Sequence, residues 1–587
     1  MAAAAPATAA DFPAANLDFE SWEDGRPTGW YRPPVSTSFT ISPDCTESRE
    51  GKCALKVSGG AANQYFPVSQ TKPPGAAAGH RLKFSGWIRT RNLEGGFAGL
   101  WLRVDAADRR MMAIERMEKT GPRGTTEWQQ FEIAIAVPPN AGSILIGVIV
   151  SGSGETWFDD LKLTVDTSVN VPKLELPRPP RPKPSQSLAT DAELAIPAAD
   201  VPRVSDALKA DAQSRVVPIR SLFSDDFSDL QFLKPLLEGK RIVQLGESSH
   251  GVAEFNWMKA RLVRFLHREL GFDVVAFESS LSGCDVADAG IGTKPPGDVM
   301  RDCIFSVWHS SETLGVFEYL DATRKVGQRI SLAGFDTQNS GYARRAVHAR
   351  LITYAALVDP KLGDRIEAAE PFTLRPKLSK EEAGTLRAAY TDLAEGLARN
   401  RATLMQKATR HIDIDLAIQE ARSRVRLVDQ LAEPDLVRSM PIRDEGMADN
   451  LDFIADRMFP GRKIIVWAHN GHIAKDDPNA PGFMGSHVAR RRGQETYTVG
   501  LYMGRGMSAM NDRSVVDIAP PPHGSLEAII ASAGWRMGFV DFSRSPSEWM
   551  LSTVIARGWG REILRLVPAK AYDAVIYIDR VTPPDYQ

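Results

Sequence analysis

Along the first quarter of the chain, apolar and polar residues alternate in short runs. The clearest lie at 54–58, 81–89, 98–104, 129–136, 143–150 and 156–165, with turn-forming residues between them. A period of two predicts strands with one buried face, and such runs at regular spacing predict a sandwich. No long 3.6-residue period interrupts them, so residues 14–166 are expected to form an all-β sandwich. From 167 to 202 the pattern breaks into a stretch with eight prolines, including the run 177–184. Proline favours extended, semi-rigid chain, so this segment is expected to link two domains. From 203 onward, continuous hydrophobic runs appear at 241–246, 273–278, 330–336, 463–469, 497–502, 537–542 and 574–579. Helical segments fall between several of them, the clearest carrying Phe255, Met258, Leu262, Phe265 and Leu266 at helical spacing. Continuous runs are what parallel strands covered on both faces require, so residues 203–587 are expected to be an α/β domain with a mostly parallel sheet. Residues 342–459, rich in Ala, Leu, Arg and Glu, read as a helical insertion. It either walls the site or packs as a subdomain of its own.

Composition narrows the function more than the fold. Lys and Arg number 71 against 73 Asp and Glu, a net charge of -2 over 587 residues. No basic excess is available to neutralise a phosphate backbone, so a nucleic-acid partner is not expected. No run of 18 apolar residues occurs, so no membrane-spanning helix is expected. None of the four cysteines forms a CxxC pair. Cys45 and Cys53 read as a small disulfide hairpin of an oxidising compartment, while pairing of Cys284 with Cys303 is left open. The Ala-rich start lacks a basic or apolar signal region and looks like the beginning of a mature exported chain. A periplasmic or secreted location is expected from the tail and the cysteines together.

Reactive side chains collect at the ends of successive predicted strands. The first runs into Gly246-Glu-Ser-Ser-His-Gly251, the second ends on Glu278, the third on Asp336, and the fourth on Ala468-His-Asn-Gly-His472. Ligands of open parallel sheets bind outside the carboxyl ends of the strands. Glu247, His250, Glu278, Asp336, His469 and His472 are therefore expected at one edge. A nucleophile elbow is not spelled, because His250 stands where its second glycine would be. The phosphate-loop and dinucleotide patterns are also absent. Histidine with carboxylates and no nucleophile points to activated water. His250 precedes a helix, whose positive end disfavours the imidazolium form. A carboxylate can orient its ring, and His469 and His472 can donate to an oxyanion. The rival is a zinc or manganese site built on His469-x-x-His472 with a further His and Glu. A catalytic metal stays open, although no HExxH motif is spelled.

At these residues the chain, from near 205 to its end, resembles the erythromycin esterase-like family. The resemblance rests on Leu245-Gly-Glu-Ser-Ser-His-Gly251, Lys259-Ala-Arg-Leu-Val-Arg-Phe-Leu266 and Gly271-Phe-Asp-Val-Val-Ala-Phe-Glu278. Leu332-Ala-Gly-Phe-Asp336, Arg443-Asp-Glu-Gly-Met-Ala448 and Trp467-Ala-His-Asn-Gly-His-Ile473 follow in order. It implies an α/β fold with a helical subdomain, and hydrolysis of lactones by histidine-activated water. Carried over by motif, His250 is the base, with Glu247, Glu278, His469 and His472 as its catalytic companions. Lys259 stands where the family places a basic residue, arginine in at least one characterised member. Lys259, Arg261, Asp336 and Arg443 are the substrate-binding candidates.

The N-terminal region resembles a carbohydrate-binding-module-like jelly roll, on Asn16-Leu-Asp-Phe-Glu20 and Trp157-Phe-Asp-Asp-Leu161. That resemblance implies an aromatic face for sugar rings and a structural calcium, with Asp18, Glu20 and Asp159 as oxygen ligands. The reading is a hydrolase of a carboxylic ester or lactone, small or glycan-linked. The alternatives are a metal-dependent hydrolase or transferase at the same edge and a non-catalytic glycan-binding protein.

Overall fold

The computed structural model describes residues 10–587 except 24, 32–38, 61–64, 108–109, 177–180, 376, 407, 409, 411 and 480. The Ala-rich start and the first half of the 177–184 proline run lie outside the described residues. The chain divides into two compact units, Met1–Arg178 with Arg513–Val515, and Pro179–Asp512 with Val516–Gln587.

The first unit is strand-rich and antiparallel. One sheet runs Gly124–Val137, His80–Glu94, Ser153–Asp166, Ala54–Gly59, Phe39–Asp44, and a second runs Tyr65–Lys72, Ala141–Ser151, Ala98–Ala106, Met111–Arg116. Alternation decides which face is buried: Leu82, Phe84 and Ile88 of one sheet share a core with Leu100, Leu102, Ile144 and Val148 of the other. Cys45 and Cys53 are joined. Two of the acids expected to hold calcium have backbone partners. Asp159 accepts the backbone N–H groups of Arg49, Glu50 and Asp160, and Glu20 accepts those of Lys52 and Cys53. The acids thus fasten the 49–53 loop, and among the described residues no three acids, histidines or cysteines gather as a metal cage.

In the second unit the seven hydrophobic runs all form strands: β1 Ile242–Leu245, β2 Val274–Ser280, β3 Ser331–Asp336, β4 Ile464–Trp467, β5 Thr496–Ala509, β6 Met537–Asp541 and β7 Ala574–Val581. They lie in the order β6-β7-β5-β1-β4-β2-β3. All neighbours are parallel except β6 and β7. Successive residues face opposite sides, so Val243, Leu245, Ile465 and Trp467 enter one core and Ile242, Ile464 and Val466 the other. Both faces are covered, which is why the runs are continuously apolar.

The helices that matter for the site are α1 Ala253–Leu270, α2 Leu281–Asp288, α3 Leu436–Phe453 and α4 Asn470–Ile473. Helices from Arg344 to Ala432 close around a core of their own. The expected 342–459 insertion is therefore two things. Its last helix, α3, leaves that core and packs Met447, Ala448 and Leu451 on the sheet. The expected linker is also bound at both ends: Val171 donates to Gly79 in the first unit, and Ala189 and Ile196 donate to Arg220 and Gly534 in the second. Cys284 and Cys303 are joined, tying α2 to the helix Pro296–Cys303.

Candidate active site

The ends of β1, β2, β3 and β4 lie side by side because these strands are parallel neighbours. Gly246 is required at the end of β1, since a Cβ there would sit 2.1 Å from Asn470 Oδ1. Asn470 is itself structural. Its amide donates to the Leu501 carbonyl and accepts the Leu501 N–H, while its own N–H donates to the Glu247 carbonyl. The first and fourth loops are thereby locked together across β5.

Glu247 is fully buried. One carboxylate oxygen accepts His250 Nδ1–H at 2.7 Å and the Trp308 indole N–H at 2.8 Å, and the other accepts Lys259 Nζ. Burial alone would raise its pKa, but Lys259 and then His250 hold it below the usual carboxylate value. Burial in turn pulls the Lys259 ammonium, which lies 4.0 Å over the Trp467 ring, down to about 8 against the pull of Glu247. With Nδ1 committed to Glu247, neutral His250 presents its lone pair at Nε2. Its ring sits edge-on to Trp308, Trp559 and His469 at centroid distances of 4.7–5.2 Å.

Glu278, at the end of β2, accepts the His469 backbone N–H at 2.9 Å and Arg443 Nη2 at 2.9 Å, and lies 3.3 Å from His472 Nε2. Burial opposes its charge, yet His472 and Arg443 hold its pKa well below the carboxylate range. Asp336, at the end of β3, takes Arg443 through both oxygens. Arg443 is pinned as a permanent cation, burial being outweighed by Asp336 and Glu278.

The two histidines of the fourth loop differ. His469 caps α4, its Nδ1 accepting the Gly471 N–H at 3.1 Å. Its proton therefore resides on Nε2, which is buried and has no protein partner. Burial, then His250 and His472, push its pKa down to about 3, so it is a neutral N–H donor. His472 donates Nδ1–H to Asp444 at 2.6 Å. Burial opposes its charge, but Asp444 and Glu278 push its pKa up to about 10, so it is an imidazolium.

The structure therefore assembles Glu247, His250, Lys259, Glu278, Asp336, Arg443, His469 and His472. It does not bring Arg261 to them. Arg261 is fully buried, and its guanidinium is spent on Asp229 and on the carbonyls of Ser221, Ser224 and Asp226. It fastens the 221–229 loop to α1, which corrects its expected substrate-binding role. Lys259 and Asp336 are likewise engaged with site residues: they hold Glu247 and Arg443. Sequence reasoning missed Asp444, Trp308 and Trp559. Asp444 adjoins Arg443 in the same motif, which was a usable signal; the two tryptophans arrive from loops that no pattern marks.

A family model described as "Erythromycin esterase" matches residues 267–581. "Putative hydrolase YbfO" of Bacillus subtilis is 30% identical over 393 residues, covering 60% of this chain and 87% of that protein. "Erythromycin esterase type I" of Escherichia coli is 26% identical over 295 residues, covering 45% of this chain and 71% of that one. A crystal structure of a Bacillus cereus protein superposes with a TM-score of 0.57 at 21% identity, covering 66% of this chain and all of that one, and so shares the fold.

Proposed function

The chain belongs to the erythromycin esterase family, and from that premise we propose a hydrolase that cleaves a carboxylic ester or lactone through water activated by His250. The family supports a hydrolase; the observation that carries the finer reading is the complementary state of two neighbouring imidazoles. His250 offers a lone pair, fixed by Glu247, while His469 offers an unpartnered N–H. Water attacks the ester carbonyl as His250 Nε2 takes its proton. His469 Nε2–H donates to the developing oxyanion, and the imidazolium of His472 lowers its energy further. When the tetrahedral intermediate collapses, the C–O bond breaks and His250 returns the proton to the departing alkoxide. Glu247, held charged by Lys259 and Trp308, steadies the imidazolium that forms in between.

The substrate is a small-molecule or glycan-linked ester. An exported setting, periplasmic or secreted, goes with it and is supported by two joined cysteine pairs. The test is a proton-release screen over macrolides, aryl esters and acylated sugars, each with and without chelator. His250→Ala should lose at least about a hundredfold, the lower end of general-base catalysis. Turnover that the mutant retains would overturn the base. Turnover lost to chelator would move the chemistry to a metal.

A further inference from the structure

Three aromatic rings touch the site histidines among the described residues. Trp308 is entirely buried, and its N–H is spent on Glu247. Trp559 and Phe483 are partly exposed. Trp559 stacks on His469 at 5.2 Å and 23°, and Phe483 stacks on His472 at 5.7 Å and 17°. Among the described residues, Trp559 and Phe483 are thus the partly exposed aromatic rings stacked on the site histidines.

Trp559 is held there at a cost. It occupies the tip of a hairpin, Val554–Gly558 with Glu562–Leu566, that forms a two-stranded sheet of its own and meets Ser525 through a bridge at Ile555. Its φ is +54°, a left-handed conformation that a bulky side chain rarely adopts. Glycine flanks it on both sides, and only glycine at position 559 itself would be free of that strain. The hairpin is also fixed rigidly. Trp559 N–H donates to the Ser248 carbonyl in the loop that carries His250. Arg557, buried, donates to the carbonyls of Met503, Gly504 and Ala519, and its backbone N–H donates to Glu527. A strained, braced and partly exposed indole against a catalytic histidine is the arrangement of a binding wall.

Building on the hydrolase reading, we infer that Trp559 is a specificity-determining platform, selecting esters whose alcohol carries a saturated six-membered ring. One indole face lies against His469, and the exposed surface takes the C–H face of the ring. A sugar and a carbocycle share that chemistry.

Three acetates with one acyl group test it: ethyl acetate without a ring, cyclohexyl acetate with a carbocycle, and a 6-O-acetyl methyl glucoside with a sugar. For ring acetates, Trp559→Ala should lower kcat/KM about three- to tenfold through KM, the range of one aromatic contact. The loss on ethyl acetate, which offers no ring, should be at least about threefold smaller than that on the ring acetates, and Trp559→Phe should recover most of the difference. Whichever ring acetate responds identifies the source of the ring. An equal loss on all three acetates, or a loss carried by kcat, would overturn the platform and leave Trp559 as a prop for His469. Calorimetry with N-cyclohexylacetamide and N-ethylacetamide judges the platform without turnover. Weaker binding of the cyclohexyl amide alone in Trp559→Ala supports it, and equal affinities or no binding to the native protein overturn it. If no acetate is hydrolysed, the hydrolase reading falls while the amides still decide the platform.

Discussion

His469 caps the four-residue helix α4 and His472 lies within it, yet one is pushed down to about 3 and the other up to about 10. Burial acts on both in the same direction, so it cannot be the cause of the difference. What differs is the group that each Nδ1 meets. His469 receives a backbone N–H and has two other imidazoles for neighbours, whereas His472 gives its proton to a carboxylate and has a second carboxylate at its other nitrogen. One short motif thus supplies a neutral donor and a fixed cation to the same cleft. Charge state here follows from partners on other elements, β2 for Glu278 and α3 for Asp444.

The most severe way to break the contrast is to remove the cation that balances both carboxylate-bearing strands. Arg443→Ala leaves Glu278 and Asp336 buried without their shared guanidinium. Uncompensated buried charge costs about 3–5 kcal/mol, so the urea midpoint of the α/β unit should fall by that equivalent. An unchanged midpoint would mean that the site is wetter than its geometry.

Asp444→Asn is the sharper test, because it keeps the shape and removes the charge. The pKa of His472 should fall, and hydrolysis should drop on the order of a hundredfold, as when one oxyanion donor is lost. The pH dependence has a definite sign. A histidine whose pKa rises on folding, from 6.5 to about 10, adds stability that is full below pH 6.5 and is lost as pH climbs through 10. Thermal melts between pH 6 and 10 should show that loss in the native protein, and Asp444→Asn should flatten it. An identical slope in both would assign the alkaline loss to other groups.

Reading the site from sequence worked where chemistry lay at the end of a hydrophobic run. Glu278 and Asp336 lie at the ends of β2 and β3, Glu247 and His469 lie just past β1 and β4, and parallel order does the rest. It failed where the partner came from afar. Asp444 reaches His472 from inside what read as an undivided helical insertion, and nothing in local periodicity says that α3 leaves its neighbours to join the sheet. Trp308 and Trp559 come from irregular segments. Lys259 and Arg261 teach a different lesson. Residues two apart on a helix do not share a face, so only one of them could point at the site. Helical geometry alone was enough to separate them.

The smallest effect discriminates the finest claim. If His469 acts as a fixed N–H donor, an amide can stand in for it, and His469→Gln should cost about tenfold or less. His469→Leu, which offers no donor, should lose about 10²–10³, the range for a missing oxyanion contact. The residual activity of His469→Gln should also keep the native pH profile above about pH 4, because His469 does not ionise there. Were His469 a proton carrier, Gln would be as harmful as Leu, and the profile would shift with it. Steady-state rates of the two variants across pH 5–9 separate these cases, and they do so at the one imidazole whose free N–H makes the contrast with His472 chemically useful.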